Sequence, residues 1–355
     1  KKQHIKHYLM EESILEINLD LKDELKNFLK KGKQYTIPIF IPHKGCPNNC
    51  VFCNQKKISG QLTDVTSEDV KDKIEEYLKY YSNSKKKIEI AFFGGSFTGI
   101  PMDKQIEYLE VANGYVKKGL VDAIRISTRP DYIDGKILDV MKKYNVKTIE
   151  LGVQSMDDKI LALSKRGHTA LDVVNASKLI RYYDIELGHQ IMIGLPGSTR
   201  VSEVYTIKEC LKLHPQQLRI YPVYVIADSE LYSMYENGEY KPLSINEAVK
   251  RCKAVIYECQ KTDISIIRLG LQSTDEITAK NKELRGPVSD NLAEYVMSAL
   301  VRDKIEYEIK NRRIDDSKLI INVSKKYVSI CIGPKKINKL YFEDKYNIKF
   351  IVKGE

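Results

Sequence analysis

Short apolar runs alternate with amphipathic stretches along most of the chain, and the alternation begins at residue 35. YTIPIFIP (35–42) reads as a strand. SEDVKDKIEEYLKYY (67–81) has helical spacing, with Thr66 or Ser67 placed to cap it and Asp69 in its first turn. KIEIAFF (87–93) predicts a second strand, and MDKQIEYLEVANGYVKKG a helix entered through Pro101. AIRIST (123–128), VKTIELGV (146–153), IELGHQIMIG (185–194) and QLRIYPVYVI (217–226) predict four more strands. Helical stretches lie near 134–143, 157–164, 171–183, 199–213 and 246–260. Regular strand–helix alternation predicts an α/β fold with a parallel sheet and helices outside, closed or partly closed as a barrel. In such barrels chemistry sits on the loops after the C-terminal strand ends.

The pattern changes near residue 290. SDNLAEYVMSALVRDKI predicts an amphipathic helix. KLIINVS, YVSICIG, a helical PKKINKLYFEDKY and NIKFIVK then predict a compact β-β-α-β tail. The polar stretch DKIEYEIKNRRIDDS marks a boundary near 303–317. The expected organisation is an N-terminal extension (1–36), a core barrel (37–260), a C-terminal extension of that core (261–303) and a small basic α/β domain (304–355).

Composition narrows the classes. The chain has 355 residues, 43% hydrophobic and 30% charged, the balance of a globular protein with a sizeable core. No run approaches about 18 consecutive apolar residues, so no membrane span is expected. The N-terminus lacks the pattern of a signal peptide. Seven cysteines, an odd number in a long chain, argue against a disulfide scaffold and for a reducing compartment, read here as the cytoplasm. Net charge is +10, and residues 301–355 carry 14 Lys or Arg against 8 Asp or Glu, a balance suited to a polyanionic partner.

Three of the cysteines crowd into HKGCPNNCVFCNQ (43–55), on the loop after the first barrel strand. Cys46, Cys50 and Cys53 are spaced C-x3-C-x2-C, and the next cysteine is Cys210. Compartment and parity disfavour a disulfide. A zinc site needs four ligands, and His43 could be the fourth. A 4Fe-4S cluster normally takes four thiolates, so three leave one iron with an open position.

The spacing, with an aromatic before the last cysteine, is similar to the hallmark of the radical S-adenosylmethionine superfamily; Phe52 fills the aromatic place. The resemblance implies a partial (β/α)6 TIM-like barrel and a 4Fe-4S cluster on Cys46, Cys50 and Cys53. It implies S-adenosylmethionine chelated at the open iron and a low-potential electron donor such as flavodoxin or ferredoxin. An electron from the cluster would cleave the cofactor's C–S bond, and the 5′-deoxyadenosyl radical would abstract a substrate hydrogen. Carried over position by position, Gly94, Gly95 and Ser96 match the motif that contacts the methionine amino group, where only glycine lets backbone carbonyls approach. Ser127 and Arg129 are candidates for the ribose or the carboxylate, Gln154 for the ribose hydroxyls, and Arg166 for the methionine carboxylate. MIGLPGST (192–199) matches the Gly-rich end of the fifth strand, and Tyr221 to Val225 fall where adenine packs. His168 and His189 read as structural.

NQKKISG, FFGGSFTG, STRPDYI, LGVQS, KRGHT and GLPGST, in this order, resemble the Elongator catalytic-subunit branch across residues 37–290. That branch modifies wobble uridines in tRNA with acetyl-coenzyme A held by a C-terminal acetyltransferase domain. This chain ends too early for that domain, and its first cysteine gap is the shorter one. Fold, cluster and cofactor carry over, and RNA, led by tRNA, is the expected substrate class. CIGPKKINKLYFEDKYNIKFIV (331–352) resembles a KH RNA-binding module, with Gly333-Pro334-Lys335-Lys336 in place of the G-x-x-G loop and Lys335 and Lys336 as phosphate contacts. Two alternatives stay open: a radical enzyme acting on a small molecule such as a tetrapyrrole, and a non-catalytic zinc-bearing RNA-binding protein.

Overall fold

The computed structural model describes residues 14–29, 35–41, 49–53, 65–81, 86–271, 278, 281, 283–310 and 318–355. Its strands, in chain order, are β1 (Ile14–Asn18), β2 (Tyr35–Ile41), β3 (Ile88–Gly94), β4 (Ala123–Thr128), β5 (Val146–Gln154), β6 (Glu186–Ile193), β7 (Gln217–Pro222), β8 (Ser265–Leu269), β9 (Lys318–Val323) and β10 (Lys349–Gly354). The chain divides into two compact units, Asn27–Leu292 and the combination of Lys1–Lys26 with Ala293–Glu355.

In the larger unit β2 to β8 form one parallel sheet in strictly sequential order, with helices on the crossovers. Sequential order is what short right-handed βα connections produce, and it curls the sheet into a half-barrel. The expected six strands are joined by a seventh, β8, which pairs in parallel with β7. Its five residues, SIIRL, are too short to stand out by periodicity.

Alternation along each strand sorts residues between helix layer and lumen. Ile90, Phe92, Ile124, Ile126, Ile149 and Leu151 are fully buried apolar residues. The opposite faces of these strands carry Glu89, Arg125 and Glu150, which meet across the lumen. Arg125 donates through Nε and Nη2 to both oxygens of Glu89, at 3.0 and 3.1 Å. Its Nη1 donates to Glu150 and, at 2.7 Å, to Gln217 Oε1. Arg219 grips Glu150 from the other side at 2.8 and 3.0 Å and lies over the Phe93 ring. The four charges form a chain, Glu89–Arg125–Glu150–Arg219, across β3, β4, β5 and β7. Burial alone would lower the Arg125 pKa and raise that of Glu150, but the opposite charges outweigh it in both cases.

Helix ends follow local chemistry. Thr66 and Asp69 form reciprocal bonds at the start of the helix Ser67–Tyr81, and Thr169 and Thr199 open capping boxes.

The smaller unit holds a parallel sheet of order β1-β9-β10. Three expectations are corrected here. YVSICIG is not a strand: Val328–Ile332 is helical, because Tyr327 and Cys331, four apart, are the buried positions. The tail is thus strand–helix–helix–strand. The boundary expected at 303–317 falls at 292/293. DKIEYEIK continues the helix Leu292–Lys310, with Ile305 and Ile309 buried. That helix is fastened within its own unit: Ser298 O accepts from Asn338 at 2.9 Å, and Glu306 pairs with Lys345 and the Tyr346 hydroxyl. The N-terminal stretch is likewise not a separate extension, since β1 pairs with β9.

Candidate active site

The cysteine loop enters the described residues at 49–53; Cys46 lies outside them, as does His43. Cys50 is buried and Cys53 half-buried, and the Cys53 N–H donates to the Cys50 carbonyl at 2.9 Å, closing a turn. The turn is pinned on both sides of Val51. Its N–H donates to Ser164 O at 3.2 Å, and its carbonyl accepts from Leu231 N–H at 2.7 Å. The Val51 side chain is buried among Ile160, Leu195, Val223, Val225 and Leu231, with Phe52 packed against the same cluster.

Arg166 reaches this turn from the end of the short helix Asp158–Leu163. Lys165 takes a left-handed backbone, φ 51°. Lys165 N–H then bonds Ala162 O and Arg166 N–H bonds Leu161 O, each at 3.0 Å, the paired closure of a Schellman end. The chain turns back, and the buried Arg166 guanidinium donates through Nη1 to Cys50 Sγ at 3.3 Å and through Nη2 to Gly152 O at 2.8 Å. The space at Gly152 is tight: a Cβ there would lie 3.1 Å from Gln154 Nε2 and 3.3 Å from Arg166 Nη2, so both side chains would have to shift by a few tenths of an ångström.

Gln154 closes β5 with φ 65°, next to a register shift in the ladder with β6. It is buried, and its Oε1 has no hydrogen-bond partner among the described residues. A buried carboxamide oxygen at a strand end, on a sparsely populated backbone conformation, has acceptor capacity to offer a ligand or a water.

At the end of β3, Gly94 has φ 103°, and the Gly95 N–H donates to Ile41 O at 3.1 Å. Ser96 turns inward: its hydroxyl bonds the Thr128 hydroxyl at 2.7 Å and accepts from Arg129 N–H at 3.1 Å. Thr98 joins the same Thr128 hydroxyl. Arg129 is clamped by Asp131 at 2.9 and 2.8 Å, and Ser127 bonds Glu150 at 3.4 Å. The fold therefore brings Cys50, Arg166, Gly152, Gln154, Thr128 and Ser96 into one run at the strand ends. Ser127 is engaged with the charge chain in the lumen. Lys335 and Lys336 belong to the other unit.

Thr128, Asp131 and the lumen charges were not anticipated from sequence. Their signal is a polar or charged residue at alternate positions of otherwise apolar strands, as in AIRIST and TIEL. His168 and His189 are both buried. Burial, with the Arg166 and Arg129 charges added for His168, lowers both to a pKa of about 3. They face Val153 O and the Ser177 hydroxyl. The end of β6 is locked by Glu203, which accepts from Gly194 N–H at 2.7 Å and Arg251 at 3.1 Å.

Residues 40–209 match the Radical SAM superfamily domain and residues 215–302 the Radical_SAM C-terminal domain. The chain is 32% identical over 195 residues to the tRNA uridine(34) acetyltransferase of Methanocaldococcus jannaschii, covering 49% of this chain and 36% of that protein. It thus spans between about a third and a half of the length of the acetyltransferases it matches. An uncharacterized protein of the same organism is 31% identical over 232 residues, 62% of this chain and 70% of that one. The solved structure of Methanocaldococcus infernus Elp3 with an N-terminal deletion superposes with a TM-score of 0.57 at 24% identity, across 79% of this chain and 64% of that one, a likeness of fold. The two domain matches run the length of the half-barrel and its extension, and the chain belongs to the radical S-adenosylmethionine superfamily.

Proposed function

We propose that this enzyme uses adenosyl-radical chemistry to modify RNA, with tRNA as the leading substrate. The observation that carries the substrate class is the match of the barrel to proteins named for acting on tRNA uridine 34.

The cofactors are a 4Fe-4S cluster and S-adenosylmethionine. The donor set fits them: the Cys50 sulfur faces a guanidinium donor, which suits a thiolate, and Gln154, whose oxygen has no partner among the described residues, ends the strand whose Gly152 carbonyl the same guanidinium holds. We assign the cluster to Cys46, Cys50 and Cys53, with Phe52 anchoring the loop. Held there, the cluster and S-adenosylmethionine would supply one-electron reductive cleavage of the sulfonium and hydrogen-atom abstraction from the substrate. Gly94 and Gly95 offer backbone to the methionine end and Gln154 its carboxamide to the ribose. Ser96 positions Thr128 and the Arg129 backbone, and Ser127 holds Glu150. Arg129, kept in place by Asp131, adds positive charge near the cofactor carboxylate. A ferredoxin or flavodoxin is the electron donor, and the cytoplasm, where thiols stay reduced, is the compartment.

Lys335 and Lys336 are the RNA contacts of the smaller unit. They are exposed on the link between the helices Val328–Ile332 and Ile337–Tyr346, at φ 53° and 61°, beside Gly333 at φ 80°. A left-handed turn carrying two lysines suits a phosphate backbone. The test is anaerobic incubation of reconstituted enzyme with RNA from a strain deleted for the gene, followed by nucleoside mass spectrometry. A new modified nucleoside that depends on S-adenosylmethionine is expected. Unchanged nucleosides, with cofactor cleavage intact, would move the substrate to another class.

A further inference from the structure

We infer that Arg166 sets the reduction potential of the cluster through its charged hydrogen bond to the Cys50 sulfur. This inference rests on the cluster assignment above. It differs from the role of a methionine-carboxylate partner expected from the sequence.

Three observations support it. The guanidinium reaches Cys50 Sγ itself, at 3.3 Å. The contact is built, not incidental: Arg166 is only 7% exposed, its backbone closes the helix end, and its second nitrogen is fixed to Gly152 O. Val51 N–H on Ser164 O ties the cysteine turn to the segment that carries Arg166. Arginine stays protonated at any working pH, so the charge is permanent.

The physical consequence is directional. Reduction adds one electron to the cluster from an external low-potential donor. No proton moves, because the guanidinium is already protonated. Added negative charge on the thiolate sulfurs is stabilised by a buried cation and an N–H donor, so the reduced form is favoured and the potential rises. Arg166 is thus a positioning and tuning residue; the sulfur of Cys50 is the atom it acts through.

The test is an electron paramagnetic resonance titration of reconstituted protein with dithionite, without S-adenosylmethionine, on the parent and on Arg166→Met and Arg166→Gln. At the parent's midpoint the parent is half reduced. Each variant is expected to show at least a tenfold smaller reduced-to-oxidised ratio, which for a one-electron couple is about 59 mV or more. Arg166→Lys, which keeps the charge, should recover part of the shift. Arg166→Gln serves if Arg166→Met fails to hold its cluster. Unchanged potentials in cluster-loaded variants would overturn the inference. Unchanged potentials with weakened S-adenosylmethionine binding would return Arg166 to the carboxylate role. A parent that assembles no cluster would sink the functional assignment itself, a result distinct from either.

Discussion

A Cβ on Gly94 would sit 2.5 Å from the carbonyl oxygen of Ile41. That carbonyl also accepts the Gly95 N–H at 3.1 Å, so the end of β2 and the end of β3 are joined through a contact that admits no side chain. With φ at 103°, Gly94 also occupies backbone space that other residues avoid. Gly94→Ala should cost roughly 1–3 kcal/mol in urea unfolding. Because the strand ends must part, it should also weaken S-adenosylmethionine binding in equilibrium dialysis. A variant with parental stability and binding would show that the two strand ends are not coupled.

The lumen charges make a second prediction. Arg125 is 1% exposed and satisfies both Glu89 and Glu150. Arg125→Met removes the shared cation while leaving Glu89 buried without its partner. Loss of one member of a buried pair costs roughly 3–5 kcal/mol, so the urea midpoint should fall sharply. Arg219→Met, which leaves Glu150 still held by Arg125, should cost less. The reverse order would contradict the chain of pairs.

Both buried histidines give the stability a pH dependence. Their folded pKa of about 3 lies below the ordinary 6.5. Between these values the unfolded chain binds more protons than the folded one, so stability falls as pH drops below 6.5. His189→Gln should remove one titrating group and flatten that fall by up to roughly 1.4 kcal/mol per pH unit. Urea midpoints measured from pH 7.5 to 5 for parent and variant check this; parallel curves would show that His189 does not titrate on unfolding.

How much of this was legible beforehand depends on range. The strands β2 to β7 and their helices were readable because each is specified locally, by apolar runs and by caps such as Thr66 with Asp69. The strand β8 was not, being short, and β1 was not, because its partner β9 lies 304 positions away at Ile14↔Lys318. YVSICIG misled because apolar content hid a four-residue burial spacing. At the site, the motif positions Gly94, Gly95, Gln154 and Arg166 stood out. What Arg166, Ser96 and Ser127 touch did not, since Cys50, Thr128 and Glu150 are brought to them by separate strands.

The smaller unit carries a salt-dependent prediction. Changing Lys335 and Lys336 together to Glu should lower RNA affinity. It should also flatten the dependence of log affinity on log salt, by about 0.7 for each lost single-strand phosphate contact. Cluster content and cofactor cleavage should stay at parental levels. Parental RNA binding across the salt series would remove this loop from the RNA contacts.

The measurement that bears most directly on the account is metal content with product analysis on one anaerobically reconstituted sample. The account predicts brown protein with roughly four irons and four sulfides per chain, which on reduction converts S-adenosylmethionine to methionine and 5′-deoxyadenosine. Cys46→Ala, Cys50→Ala and Cys53→Ala should each abolish both signals, while Cys210→Ala, deep in the helix layer, should abolish neither. Stoichiometric zinc without iron, or a loaded cluster that leaves S-adenosylmethionine intact under reduction, would contradict it.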